Sequence, residues 1–63
     1  MDINIDGFVT EAITEHYGIA QYVNEPDRFW FVFKLSEPEH FVTGFMNRED
    51  AVDVCRYLDK KGE

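Results

Sequence analysis

The sequence is organised around one aromatic and β-branched run, Arg28-Phe-Trp-Phe-Val-Phe-Lys-Leu35. Aromatic and β-branched side chains at this density favour an extended strand over a helix. A second run of the same character covers residues 40–46, and only the four residues 36–39 separate the two. We therefore predict that residues 28–35 and 40–46 are strands that form a hairpin at the centre of a small sheet.

Residues 6–17 carry a different pattern, which is typical of an amphipathic helix. Their apolar residues recur as adjacent pairs every four positions and would form one stripe along a helix. Asp6 can cap the start of this helix, and Gly18 can end it in a left-handed conformation. The residues of the stripe are Phe8, Val9, Ala12, Ile13, His16 and Tyr17.

A second helix is predicted over residues 48–61, because local signals mark both of its ends. Asn47 is a typical N-cap, and acidic residues follow it in the first turn, where the helix dipole favours negative charge. Two lysines precede Gly62 at the other end, where positive charge and a glycine cap are expected. The apolar positions at helical spacing are Ala51, Val54, Cys55 and Leu58.

Together these elements predict one small α+β domain over residues 1–63. Residues 1–5 are an extended lead-in, residues 19–23 form a short strand, and residues 24–27 form a turn. The predicted order is therefore α-β-β-β-α. Short connections between strands favour an antiparallel meander, so we expect three strands with both helices on one face.

A hairpin that closes through residues 36–39 would pair Phe31 with Gly44 and would give the sheet two distinct faces. We expect the core face to carry Phe29, Phe31, Phe33, Leu35, Val42 and Met46. The other face would then expose an apolar patch of a kind that usually marks an interface. Three readings stay open for this patch: burial within the monomer, self-association, or contact with another protein. The patch consists of Trp30, Val32, Phe41 and Phe45.

The formal net charge is −7, and residues 1–27 contain no Lys or Arg. Such a chain repels phosphate backbones, so direct nucleic-acid binding is disfavoured and a basic protein is the more natural partner. On the predicted first helix, Glu11 and Glu15 are candidate partner-binding residues, with Asp6, Glu25 and Asp27 on its flanks. The acidity also serves solubility, and that reading remains open beside the functional one.

The sequence predicts no catalytic, cofactor or metal site. His16 and His40 are the only histidines, and no HExxH, CxxC or His-x-His spacing is present. The single cysteine, Cys55, falls on the apolar stripe of the last helix, as expected for a small buried hydrophobic residue. We therefore expect a protein that is not an enzyme.

The function predicted from the sequence is a small acidic protein-binding module that occupies a surface of another protein. Its size and charge also fit an inhibitor, encoded by a virus or a mobile element, that blocks a basic groove. The alternatives are a structural homodimer or subunit of a larger assembly and, third, a single-strand nucleic-acid binder. The N-terminus lacks signal-peptide character, so a cytoplasmic location is expected, which would be the host cytoplasm for a viral protein.

Overall fold

The structure of this protein, a computed structural model, describes residues 5–25 and 28–62. The strands follow one another in space as they do in the chain, and each pairs antiparallel with the next. A small α+β domain with an antiparallel meander is thus confirmed, whereas the predicted order with two helices is wrong. The elements are β1 (Phe8–Ala12), β2 (Tyr17–Tyr22), β3 (Trp30–Lys34), β4 (Glu37–Phe45) and α1 (Arg48–Lys61).

Strand β1 and a tight turn stand where the sequence predicts a helix over residues 6–17. The strand pairs with β2 from Phe8, opposite Tyr22, to Ala12, opposite Gly18. The turn closes when the backbone N–H of Thr14 donates to the carbonyl oxygen of Tyr17 at 3.0 Å, and the Thr14 hydroxyl accepts from the Tyr17 N–H at 3.0 Å. The segment contains four β-branched residues, which lose side-chain freedom in a helix. Its backbone hydrogen bonds to β2 stabilise the strand instead. Gly18, predicted to end the helix, lies within β2.

The other strands largely confirm the prediction, except at the hairpin turn. Phe31 lies opposite Gly44, as predicted, but Lys34 pairs with Glu37, so the loop has two residues instead of the predicted four. Two register shifts, on either side of Phe33, absorb the difference. The strand predicted at residues 19–23 is β2, which begins two residues earlier.

Helix α1 confirms the prediction for residues 48–61, including its caps. The Asn47 side chain accepts a hydrogen bond from the Asp50 N–H at 3.0 Å. Gly62 adopts φ 80°, a left-handed conformation that favours glycine, and its N–H returns to the carbonyl oxygen of Asp59. Local sequence signals were sufficient for this element because its ends are stabilised by residues next to it in the chain.

The two faces of the sheet are the reverse of those predicted. Helix α1 packs on the face of Trp30 and Val32, whose exposed fractions are only 7 % and 0 %. We call this side the helix face; its buried cluster consists of Tyr17, Ile19, Trp30, Val32, Ala51 and Cys55. The opposite side, the aromatic face, carries rings in mutual contact from Phe8, Tyr22, Phe29, Phe31, Phe33 and Phe41.

The aromatic face closes on itself because the sheet is strongly curled. Strands β1 and β4 are the two edges of the sheet, yet the rings of Phe8 and Phe41 meet with centroids 5.1 Å apart. Phe31 lies between them and stacks on Phe41 at 5.0 Å. The curl therefore gives these rings cover that a flat sheet would have required a second helix to supply.

Two predicted segments lie partly outside the described residues: the lead-in at 1–5, of which residues 1–4 are not described, and the turn at 24–27, which includes Pro26 and Asp27. Within the described parts of the chain, no helix is long and apolar enough to cross a membrane.

Candidate functional site

The apolar patch predicted as an interface does not exist as an exposed surface. Trp30 and Val32 are buried beneath α1, and Phe45 packs against the same cluster. Phe41 lies on the other side of the sheet, because the register shift places it opposite Phe33 and against the ring of Phe31. Of the three readings left open for the patch, burial within the monomer therefore holds for Trp30 and Val32, because the only helix in the described residues covers that face instead of the opposite one.

The two predicted acidic residues, Glu11 and Glu15, lie at different ends of α1. The Glu11 carboxylate accepts a hydrogen bond from Arg48, at the first residue of the helix. Glu15 lies in the turn beside His16, whose ring bonds to Asp59. Arg48 and Asp59 are about 16 Å apart along the helix axis. The sequence prediction groups Glu11 and Glu15 because both would lie on one face of a helix over residues 6–17, and that helix is absent.

A cleft opens between β1 and the adjoining part of the helix face, and it brings two of the predicted residues together. Glu11 and Trp30 both line it, and so does Val9, which is half exposed. Its volume is about 160 Å³. We call it the β1 cleft; its complete lining is Val9, Thr10, Glu11, Ile19, Ala20, Gln21 and Trp30.

An ion pair connects one wall of this cleft to the start of the helix. Nη2 of Arg48 donates to Oε2 of Glu11 at 2.7 Å, and about half of each side chain is exposed. No other hydrogen bond reaches the Glu11 carboxylate within residues 5–25 and 28–62. An exposed pair of this kind contributes only about 0–1 kcal/mol to stability, so exchanging Arg48 for another donor would cost the fold little.

Most described acidic side chains form no salt bridge, although Arg48 and Arg56 line a shallow cavity on α1 together with Glu49 and Asp53. Salt bridges within the described chain occupy Glu11, Glu25 and Asp59. Three of the others are exposed on the first two turns of α1, and we call them the acidic half of the helix: Glu49, Asp50 and Asp53. The remaining unpaired acids in this part of the chain are Asp6, Glu15 and Glu37. These carboxylates are thus exposed to solvent outside salt bridges, and on α1 they outnumber the two arginines that lie among them.

Cysteine and histidine side chains often take part in catalysis or metal binding; in this structure Cys55 and His16 make hydrogen bonds within the fold. Cys55 is fully buried, and its thiol donates to the carbonyl oxygen of Gly18 at 3.6 Å. Burial raises the pKa of the Cys55 thiol to about 11, although a backbone hydrogen bond offsets part of that rise. His16 joins the β1–β2 turn to the helix through Nδ1 and Asp59 Oδ1, 2.7 Å apart. Over the residues that the structure describes, no three His, Cys, Asp or Glu side chains form a metal-binding group.

Sequence reasoning missed Val9 and Arg48 as parts of this site. The sequence pattern places Val9 on the apolar stripe of a predicted helix, and it places residue 48 only at the start of the second predicted helix. Arg48 and Glu11, which form the ion pair, are 37 residues apart in the sequence, so no local pattern indicates their contact. The one available signal was the β-branched content of residues 9–14, which favours a strand.

No protein-family model matches this chain, and no curated protein or solved structure shows significant similarity to it.

Proposed function

We propose that this protein is a binding module that places its acidic surface against a basic surface of another protein. The observation that carries the proposal is the set of exposed carboxylates that form no salt bridge, in a chain of net charge −7. Unscreened surface charge of one sign raises association rates and selects partners of the opposite sign. In its most specific form, the proposal is that the carboxylates imitate phosphates and block a groove that otherwise holds nucleic acid.

The acidic half of α1 is the part of this surface that we propose as the main contact. Glu49, Asp50 and Asp53 are exposed within two turns of a rigid, capped helix. Side chains on a helix need less ordering on binding than side chains in a loop, so their charge is presented at a lower entropic cost. Glu11 lies beside the same end of the helix through its contact with Arg48.

The test begins with affinity purification on the tagged protein, followed by affinity measurements with the purified partner. The double variant Glu49→Lys/Asp53→Lys should bind at least about tenfold more weakly, because the two reversed charges now repel the partner. The matched control, Glu15→Lys/Glu37→Lys, changes the net charge equally but at the opposite end of the strands. Its affinity should stay within about threefold of the wild type.

Affinity should also fall steeply between about 0.05 and 0.5 M salt, since screening weakens exposed charge pairs. Nucleic acid should displace the protein from its partner if the carboxylates imitate phosphates. Circular dichroism confirms that each variant is folded, because acids in the first turn also stabilise the helix. An affinity that changes neither with salt concentration nor with charge reversal at Glu49 and Asp53 would contradict the proposal.

A second candidate function is that of a structural subunit, and the aromatic face favours it. Tyr22 is 39 % exposed at the rim of that face, and in the described residues no helix packs over it. Association through this face would appear in sedimentation equilibrium at micromolar concentration. Tyr22→Ala should then weaken association, and Tyr57→Ala, at an exposed aromatic residue on α1, should not. If the wild type, Tyr22→Ala and Tyr57→Ala are all monomeric, this function is excluded.

A further inference from the structure

We propose that the β1 cleft receives one arginine side chain of the partner, with the guanidinium on Glu11. This inference rests on the proposed function, because it names a specific contact within that binding mode. The cleft is lined by the half-exposed Val9, by small exposed parts of Ile19 and Trp30, by the polar residues Thr10 and Gln21, and by the carboxylate of Glu11. An arginine side chain combines an apolar stem with a charged planar end.

The size of the cleft favours a single side chain over a free small molecule. Its volume of about 160 Å³ is below the range of about 300–1,000 Å³ typical of small-molecule sites. One extended side chain fills such a space, whereas a metabolite would remain largely outside it.

The protein itself shows that Glu11 accepts a guanidinium. Arg48 Nη2 already lies 2.7 Å from Oε2 of Glu11. A carboxylate has about four acceptor positions and commonly receives two donors from one guanidinium. In the described residues Arg48 is the sole hydrogen-bonding partner of this carboxylate and uses Oε2, so an incoming guanidinium would bind at Oε1 or replace Arg48.

Trp30 favours arginine over lysine as the occupant. A guanidinium stacks on aromatic rings and loses hydration more easily than an ammonium group does. Among aromatic side chains, an indole gives the strongest attraction to a cation. Trp30 lines the cleft together with Glu11 but is only 7 % exposed, so the indole offers an incoming guanidinium a narrow contact and the carboxylate is the main one.

The experiment titrates the ¹⁵N-labelled protein with N-acetyl-arginine methylamide and follows the amide and indole signals by NMR. We expect saturable shifts centred on Val9, Glu11 and the Trp30 indole N–H, at millimolar concentration. The citrulline analogue has nearly the same shape without the charge and should give no saturable shift. The lysine analogue should bind several-fold more weakly than the arginine compound.

Two variants with the same change in net charge locate the contact. Glu11→Gln should weaken binding of the arginine compound at least about tenfold, because a charge-assisted hydrogen bond is lost. Glu15→Gln, in the β1–β2 turn, should leave it unchanged. Equal responses to arginine and citrulline, or shifts centred on the acidic half of α1, would overturn the proposal.

The outcomes also separate this inference from the proposed function. If the arginine compound does not enter the cleft, but Glu49→Lys/Asp53→Lys still weakens partner binding, only the cleft assignment fails. If the compound binds in the cleft, but partner affinity is independent of salt and charge, the proposed function fails.

Discussion

Gly18 in β2 is a position where the fold requires the absence of a side chain. A Cβ atom there would lie 2.7 Å from the backbone oxygen of Glu11, and a backbone atom of a paired strand cannot move aside. At Gly44 the nearest atom to a Cβ is Cδ1 of the Phe31 ring, at 3.0 Å. A ring can adjust by a small rotation, so the two glycines differ in what a methyl group would cost.

We therefore predict that Gly18→Ala lowers the free energy of unfolding by about 1–3 kcal/mol. Gly44→Ala should lower it by less than about 1 kcal/mol, since the Phe31 ring can shift. Urea denaturation of both variants beside the wild type measures the difference. Equal losses would show that the backbone contact at Gly18 is relieved by movement of β1.

Cys55 makes stability depend on pH in the alkaline range. Burial raises the pKa of its thiol to about 11 in the folded protein, from an ordinary value of 9.0. Between these two pH values the unfolded chain loses the proton while the folded chain keeps it. Proton loss then favours unfolding, so this contribution is complete below pH 9 and disappears as the pH rises to about 11.

The expected loss from this thiol is about 2–3 kcal/mol between pH 9 and 11. Tyrosines and lysines titrate in the same range, so the matched control is Cys55→Ala, which lacks the thiol. Urea denaturation at a series of pH values should give a shallower decline for Cys55→Ala than for the wild type. Parallel curves for the two proteins would contradict the prediction.

Among the elements, the β1–β2 hairpin depends on one hydroxyl group in its turn. The Thr14 hydroxyl accepts from the Tyr17 N–H at 3.0 Å and gives that backbone group a partner within the turn. We predict that Thr14→Ala lowers the free energy of unfolding by about 1 kcal/mol. Thr14→Ser keeps the hydroxyl and should retain most of the stability in urea denaturation. If serine is as destabilising as alanine, the methyl group of Thr14 matters more than the bond.

The elements also show what a sequence can reveal on its own. Helix α1 was predictable because Asn47 and Gly62 cap it from adjacent positions. The segment at 8–17 was not, because Phe8 with Ala12 and Val9 with Ile13 fit a helical stripe as well as the two faces of an edge strand. Pairing with β2 decides between them, and that pairing requires knowledge of the whole sheet.

The candidate site was less accessible to sequence reasoning than the fold. The exposed patch at Trp30 was inferred from two helices on one side, and the loss of the first helix removed that premise. Glu11 and Trp30 remain in the candidate site, but through the β1 cleft and not through a shared patch. Their proximity follows from strand order and register, which the spacing of apolar residues does not specify.

At the scale of the whole molecule, β2 and β3 join the two faces into one unit. Ile19 and Val32 are buried under α1, whereas their chain neighbours Ala20 and Phe33 are buried on the aromatic side. Neither face can lose its packing without displacing strands that the other needs. Small single domains with such shared elements usually unfold in one cooperative transition.

We predict that probes on the two faces report the same unfolding transition. Trp30 fluorescence follows the helix face and should shift to longer wavelength when the indole meets water. The NMR ring signals of Phe31 follow the aromatic face. Their midpoints in urea should coincide with each other and with the loss of circular dichroism at far-ultraviolet wavelengths. Separate midpoints would mean that one face opens before the other.

The order of the elements has a consequence for the folding of the chain during its synthesis on the ribosome. Helix α1 follows all four strands, and its contacts reach back 37 residues from Cys55 to Gly18 and 43 from Asp59 to His16. At about 5–20 residues per second, its fourteen residues take roughly 1–3 s to synthesise. Throughout that interval Trp30 and Val32 lack the element that covers them. Any chain in which α1 has not yet docked therefore exposes an apolar surface that the folded protein conceals.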